Sequence, residues 1–200
     1  MNHHPFRHQQ SDKGGFTLVE LLTVIAVIAI LLAVIASVTG SKGSRVLTKE
    51  GQSIGDQIAL ARQIAMSMNR DIELRFYQYP ETASPADAKW AIQLWKIDTE
   101  KGEVNPIGRR IVIAEEVVII NDDLAYSPIF SGLPSGRDPD PAKGGWYALK
   151  FRPNGRLAAS LDNTTNYLTL RLRRDAGKSE FNYYTLQINR LTGMLSSYRP

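Results

Sequence analysis

Glu20 is the single formal charge in the 23 residues from Phe16 to Val38, FTLVELLTVIAVIAILLAVIASV. A carboxylate at the fifth position of such a run costs about 2.5–3.5 kcal/mol near a bilayer centre and less near its edge. The chemistry that offsets this is ion pairing, because two charges that are costly separately in lipid become tolerable in contact. The other reactive types are sparse. There is no cysteine, and the three histidines, His3, His4 and His8, lie in the first ten residues. Thiol nucleophiles, Cys-based metal sites and iron–sulfur clusters are excluded. A chain trimmed of its N-terminus would also lack any His for a triad, a zinc site or a pH switch.

The element that must position Glu20 is a helix. At about 1.5 Å per residue the apolar run spans roughly 35 Å, enough to cross a hydrocarbon core. It contains neither Gly nor Pro, and Thr23 is the one polar residue from Leu21 to Ala36. A buried core helix would show a polar stripe, so a membrane span or signal segment is expected. A plain signal peptide could use Val34-Ile35-Ala36 for cleavage. A simple anchor is the second reading. Neither accounts for the carboxylate.

A third reading does. Lys13-Gly14-Gly15-Phe16-Thr17-Leu18-Val19-Glu20-Leu21-Leu22 closely resembles the processing motif of type IV prepilins and type II secretion pseudopilins. The resemblance implies that a membrane prepilin peptidase cuts between Gly15 and Phe16 and N-methylates Phe16. It implies that Glu20 pairs with the N-terminal amine of a neighbouring subunit during assembly. Removal of MNHHPFRHQQSDKGG would take away Arg7, Lys13 and Asp12, giving a mature charge of (24−2)−(20−1) = +3. Two basic residues precede the span and Lys42, Arg45 and Lys49 follow it, so charge counting does not orient it. A cytoplasmic leader rests on the resemblance.

The length of 200 residues, with 43% hydrophobic and 22% charged residues and a net charge of +4, suits one folded domain. It excludes a disordered tail, and a single long apolar run excludes a polytopic membrane protein. Gly40-Ser41-Lys42-Gly43-Ser44 reads as a joint. A second helix is expected over 45–68, with Leu47, Gly51, Ile54, Ile58, Ala61, Ala65 and Met68 spaced 4, 3, 4, 3, 4, 3 along one seam. Small residues there would permit close approach of a sheet. Ile72, Leu74 and Phe76 then alternate with Asp71, Glu73 and Arg75, the mark of a half-buried strand. Further strands are expected at Trp90–Ile97, Arg110–Ala114, Val117–Asn121, Trp146–Phe151, Asn166–Arg173, Phe181–Asn189 and Met194–Tyr198. Turns fall at Pro153-Asn154-Gly155, Asp175-Ala176-Gly177 and Leu191-Thr192-Gly193. Residues 131–145, SGLPSGRDPDPAKGG, read as a long exposed loop.

The expected fold class is α+β and pilin-like: a long N-terminal helix, transmembrane in its first half, packed on an antiparallel β domain. The divisions are a leader at 1–15, a transmembrane helix at 16–39, a periplasmic continuation of the helix at 45–68 and a globular domain at 69–200. The passage Ile58-Ala59-Leu60-Ala61-Arg62-Gln63-Ile64-Ala65 into a strand is similar to H-type minor pseudopilins and FimT-type minor pilins. So is Phe151-Arg152-Pro153-Asn154-Gly155, which matches their Phe-x-Pro-x-Gly turn. Leu186 to Gly193, with the ending Tyr198-Arg199-Pro200, is similar to the pilin-like protein D group of verrucomicrobial gene cassettes. The 131–145 loop departs from the shorter H-type pattern.

Other constellations are weaker. Glu115-Glu116 and Asp122-Asp123 are adjacent acids, and strand neighbours point to opposite faces, so they read as solvated charges rather than an acid/base couple. Asp138 and Asp140 do not match a calcium motif, and no metal or cofactor is expected. The last 50 residues hold eight Lys+Arg against three Asp+Glu. Among them Arg171 and Arg173 should share a strand face with Tyr167, and with Arg174 they form a candidate phosphate stripe, the plainer reading being a solvated outer sheet face or an edge protected by charge. Trp90, Trp95 and Trp146 read as core or rim aromatics rather than a ligand box. No nucleophile with an activating base is present, so an enzyme is not expected.

The reading is a minor pseudopilin-like structural subunit of a type II secretion pseudopilus or related type IV filament. The resemblance implies residence in the bacterial inner membrane, with the C-terminal domain in the periplasm. It also implies four partners: prepilin peptidase, other pilins or pseudopilins, an inner-membrane assembly platform and membrane lipid. The alternative is a FimT-like, DNA-binding minor pilin for uptake, with nucleic acid the less expected partner. Gly15→Val should block cleavage, because a side chain there obstructs approach of the backbone to the peptidase. Intact-mass measurement checks this: wild type should begin at methylated Phe16 and the variant should keep the leader, whereas a wild-type start at Ser37 would restore the plain signal peptide.

Overall fold

The computed structural model describes residues 17–39, 42–79, 87–98, 102–121, 123, 125–138, 144–158, 166–175, 178 and 182–199. Contacts divide the chain into two compact units, Met1–Ser41 and Lys42–Pro200. The first contains helix α1, Leu18–Thr39. Its described side chains, Thr17 to Ala33, are all exposed, with Leu18 at 75% and Leu32 at 60%. A helix apolar on every side has no face that prefers water.

The second unit opens with helix α2, Lys42–Met68, three residues earlier than expected. Leu47, Ile54, Ile58, Ala61 and Ala65 are fully buried, so the seam forms as its spacing implies. Met68 is not in it: it is 52% exposed. The helix stops there because Asn69 turns left-handed, φ 49°, and the Arg70 amide reaches back to the Ala65 carbonyl at 3.3 Å. That bond satisfies a terminal carbonyl and releases the chain into a strand.

Among the described residues nine strands follow: β1 Asp71–Tyr79, β2 Lys89–Asp98, β3 Glu103–Val112, β4 Val117–Ile119, β5 Ser135–Arg137, β6 Gly145–Phe151, β7 Tyr167–Leu172, β8 Tyr183–Ile188 and β9 Leu195–Tyr198. A short helix, α3, Ile129–Gly132, lies between β4 and β5. The fold class is the α+β class read from the sequence, and all strand pairs are antiparallel. The strands make two sheets, ordered β3-β2-β1-β6-β5 and β4-β7-β8-β9. Helix α2 packs against strands of both. One core therefore joins Ile54 and Ile58 to Ile72, Leu74 and Phe76 of β1 and to Leu170, Leu186 and Ile188 of the second sheet.

Three expectations are corrected. Strand β3 starts at Glu103, not Arg110, and takes in Pro106 and Gly108. It lies at a sheet edge, where proline is tolerated, and a register shift between Ile92 and Leu94 absorbs the irregularity. Residues 131–145 are not one exposed loop: Leu133 is buried and Ser135–Arg137 pairs with β6. Gly136 makes that pairing possible, since a Cβ there would lie 2.4 Å from the Trp146 ring. Arg173 leaves the strand and enters a 3-10 turn, Arg173–Asp175. Phe181, Ala176 and Gly177, expected in a strand and a turn, lie outside the described residues.

Small residues in the seam do admit a sheet. A Cβ on Gly51 would meet the Tyr184 ring at 2.4–2.7 Å, and one on Gly55 would meet the tip of Leu195 at 2.8 Å. The buried ring must move as a body, whereas the Leu195 tip can rotate away. Gly51→Ala should therefore lose about 1–3 kcal/mol to overpacking, more than the ~1 kcal/mol gained in helix propensity. Gly55→Ala should match or exceed wild-type stability. Thermal unfolding of the full chain in detergent checks both.

Candidate functional site

The start of α1 is a reciprocal cap. The Thr17 amide donates to Glu20 Oε2 at 2.9 Å, and the Glu20 amide donates to Thr17 Oγ1 at 3.2 Å. The Thr17 hydroxyl donates to the same Oε2 at 2.9 Å. This is a capping box, in which Thr at the cap and Glu three residues on satisfy two orphan backbone amides. Glu20 thus holds a local role beside any role between subunits. Thr17 was not singled out from the sequence, although the pattern Thr-x-x-Glu ahead of an apolar run carries the signal. Gly15 and Phe16, the expected cleavage and methylation residues, lie outside the described residues. Among the described residues no helix is long and apolar enough to cross a membrane. The described side chains of α1 end at Ala33, while its backbone helix continues to Thr39.

The three arginines of the candidate phosphate stripe have different settings. Arg173 donates through Nε to the Glu115 carbonyl at 2.7 Å and through a terminal nitrogen to the Ala88 carbonyl at 2.8 Å. Its own amide donates to the Glu116 carbonyl at 2.7 Å. The guanidinium is a bracket tying the end of β7 to chain segments beside β4 and β2. Arg171 is half-buried on β7, and Arg174 is exposed after the strand has ended, close to Gly43. Arg171 lies on β7, whereas Arg173 and Arg174 belong to the 3-10 turn that follows it.

The acids have structural partners. Glu115 pairs with Lys89, which holds the Glu115 carboxyl below its ordinary value of 4.5 and the Lys89 amine above 10.5. The stability from this exposed pair is fully present between those ordinary values. It is lost as pH falls through the lowered Glu115 pKa or rises through the raised Lys89 pKa. Asp123 caps a turn, accepting from the Ala125 amide at 2.8 Å, and Asp138 accepts from Arg110 at 3.4 Å. Asp122 and Asp140 lie outside the described residues. Among the described residues no group of three or more His, Asp or Glu could hold a metal.

The tryptophans divide. Trp90 is in the core, against Phe130 at 6.0 Å. Trp95 and Trp146 flank the Arg75 guanidinium at 4.6 and 4.2 Å, and Arg75 also bonds Glu73 at 2.9 Å. They line a charge pair on the outer face of the larger sheet.

Comparison with known proteins agrees with the N-terminal reading. Residues 10–36 match the prokaryotic N-terminal methylation motif. The match contains Lys13 to Leu22, the segment whose resemblance to a processing motif was read from the sequence. The solved structure of the minor pseudopilin EpsH from the type 2 secretion system of Vibrio cholerae is similar over 77% of this chain and 97% of that one. Identity is 10% and the TM-score 0.45, a likeness that carries no functional assignment. No curated protein matches the chain.

The bracket role of Arg173 separates it from its neighbour. Arg173→Gln should cost about 1.5–3 kcal/mol, the range for hydrogen bonds to a charged group, and Arg174→Gln less than about 0.5 kcal/mol. Denaturant unfolding of the two variants measures the difference.

Proposed function

We propose that this chain is a pseudopilin-like structural subunit of a type II secretion or related type IV filament, made as a precursor and matured between Gly15 and Phe16. The observation that carries the reading is the methylation motif at residues 10–36, with Glu20 five positions beyond Gly15 and capping its own helix. The apolar run from Phe16 to Val38 supports storage in the inner membrane before assembly. A helix seated on antiparallel sheets supports a domain carried outside the bilayer. The work is mechanical, and its partners are the peptidase, sibling subunits, an assembly platform and lipid.

Maturation converts an internal peptide bond into a free amine at Phe16, one residue from the capping box. Both Thr17 donors fall on Oε2 of Glu20. Oε1 is the acceptor we assign to the Phe16 amine of a neighbouring subunit. The cap holds the carboxylate in one rotamer, so the pair forms without further ordering of the side chain.

Glu20→Ala should leave cleavage intact yet reduce incorporation. It removes the attraction and leaves the neighbour's amine unpaired in an apolar setting. Subunit cross-linking in membranes at matched expression is the check. A markedly lower yield in the variant is expected; equal yield and equal secretion would sink the assembly role.

A further inference from the structure

The turns 152–158 and 189–194 close a cavity of about 300 Å³ lined by Arg152, Asn154, Arg156, Leu157, Arg190 and Leu191. Each turn is fixed by an asparagine side chain of its own. Asn154 Oδ1 accepts from the Arg156 amide at 3.1 Å, and Asn189 Oδ1 accepts from the Leu191 and Thr192 amides at 2.9 and 3.1 Å. The Leu157 amide joins the turns through the Arg190 carbonyl at 3.2 Å. Gly155 and Gly193 both take positive φ, 77° and 65°, and a Cβ on Gly193 would strike the Gly155 carbonyl at 2.2 Å. Arg62 of α2 clamps the pair by donating to the Thr192 carbonyl at 2.7 Å. The cleft is pre-formed.

Its charge is one-sided. Neither Arg152–Ala158 nor Gln187–Met194 contains an acidic residue, and every cation lining the cavity is arginine. Arg152 and Arg156 are exposed, and among the described residues neither enters an ion pair. Lys150, the nearest lysine in sequence, is committed to Asp71 at 2.9 Å. Beside the cleft stand exposed apolar side chains, Met66, Leu191 and Met194, with Met66 against Gly155. Arginine and methionine are enriched at protein interfaces, and lysine is depleted there. A duplex would ask instead for a row of cations tracking successive phosphates, and it offers nothing to an apolar rim.

We propose that this arginine-lined cleft docks an acidic segment of a partner protein, its carboxylates in the cavity and its apolar side chains on Met66, Leu191 and Met194. Guanidinium forks fit carboxylates two bonds at a time, and the rigid turns keep the ordering cost low. The site does not depend on filament entry, since it is built wholly within residues 62–194.

The test is fluorescence anisotropy with the full chain in an uncharged detergent. The probes are a labelled peptide of Glu-Glu-Leu repeats, its Gln-Gln-Leu counterpart and a short labelled DNA duplex. The acidic peptide should bind, and the Gln counterpart should not. Arg152→Gln/Arg156→Gln should weaken the acidic peptide about tenfold, while Arg174→Gln, also a lost surface arginine, should bind as wild type. Unchanged binding by the double variant would overturn the proposal. So would a duplex bound as tightly as the acidic peptide, or a self-association in sedimentation that the double variant abolishes.

Discussion

Two antiparallel sheets share a single apolar seam on α2, and the globular unit depends on it. Leu47, Ile54, Ile58, Ala61 and Ala65 belong to one core cluster with residues of both sheets, so neither sheet has a separate core. A helix that serves two sheets cannot carry large side chains throughout its contact face. Gly51 and Gly55 lie where Tyr184 and Leu195 come closest. Gly51 costs the helix about 1 kcal/mol, offset by the packing of the Tyr184 ring that the close approach allows, whereas the Leu195 tip beside Gly55 is free to rotate. The same geometry brings the turns at 152–158 and 189–194 together at the C-terminal end of α2, where Arg62 and Met66 meet Gly193 and Gly155.

The seam and the central strands were legible because burial on one face leaves a period. Ile72, Leu74 and Phe76 alternate as expected and are fully buried. Edge elements were harder. Strand β3 contains Pro106 and Gly108, which read as breakers in sequence yet are tolerated where only one side of a strand is paired. Strand β5 is three residues long and its sequence, Ser-Gly-Arg, has no apolar alternation; it is set by Gly136 lying under Trp146. Arg173 continued the alternation of β7 in sequence, yet it opens a 3-10 turn and its side chain is held by two backbone carbonyls from other segments. Such a partner is remote in sequence and leaves no local mark.

At the N-terminus the balance is reversed: the sequence motif was specific and local structure added to it. Glu20 was recognised as a costly charge in an apolar run. Its hydrogen bonds to Thr17 give it a second use that operates within one chain. The cap is compatible with the proposed pairing, since a carboxylate has two oxygens and the cap engages one. The cap also restricts the carboxylate to the first turn of α1, one residue from the amine that cleavage would create.

The proposed pairing of Glu20 with a neighbour's new terminus is tested most directly as an internuclear distance. Subunits labelled with nitrogen-15 at the Phe16 amine, mixed with subunits labelled with carbon-13 at the Glu20 carboxyl, should show dipolar dephasing in assembled membranes. The effect should correspond to a contact within about 4–5 Å and be absent from uncut precursor. Dephasing found only when both labels sit in the same chain would contradict the pairing and leave Glu20 with the cap alone.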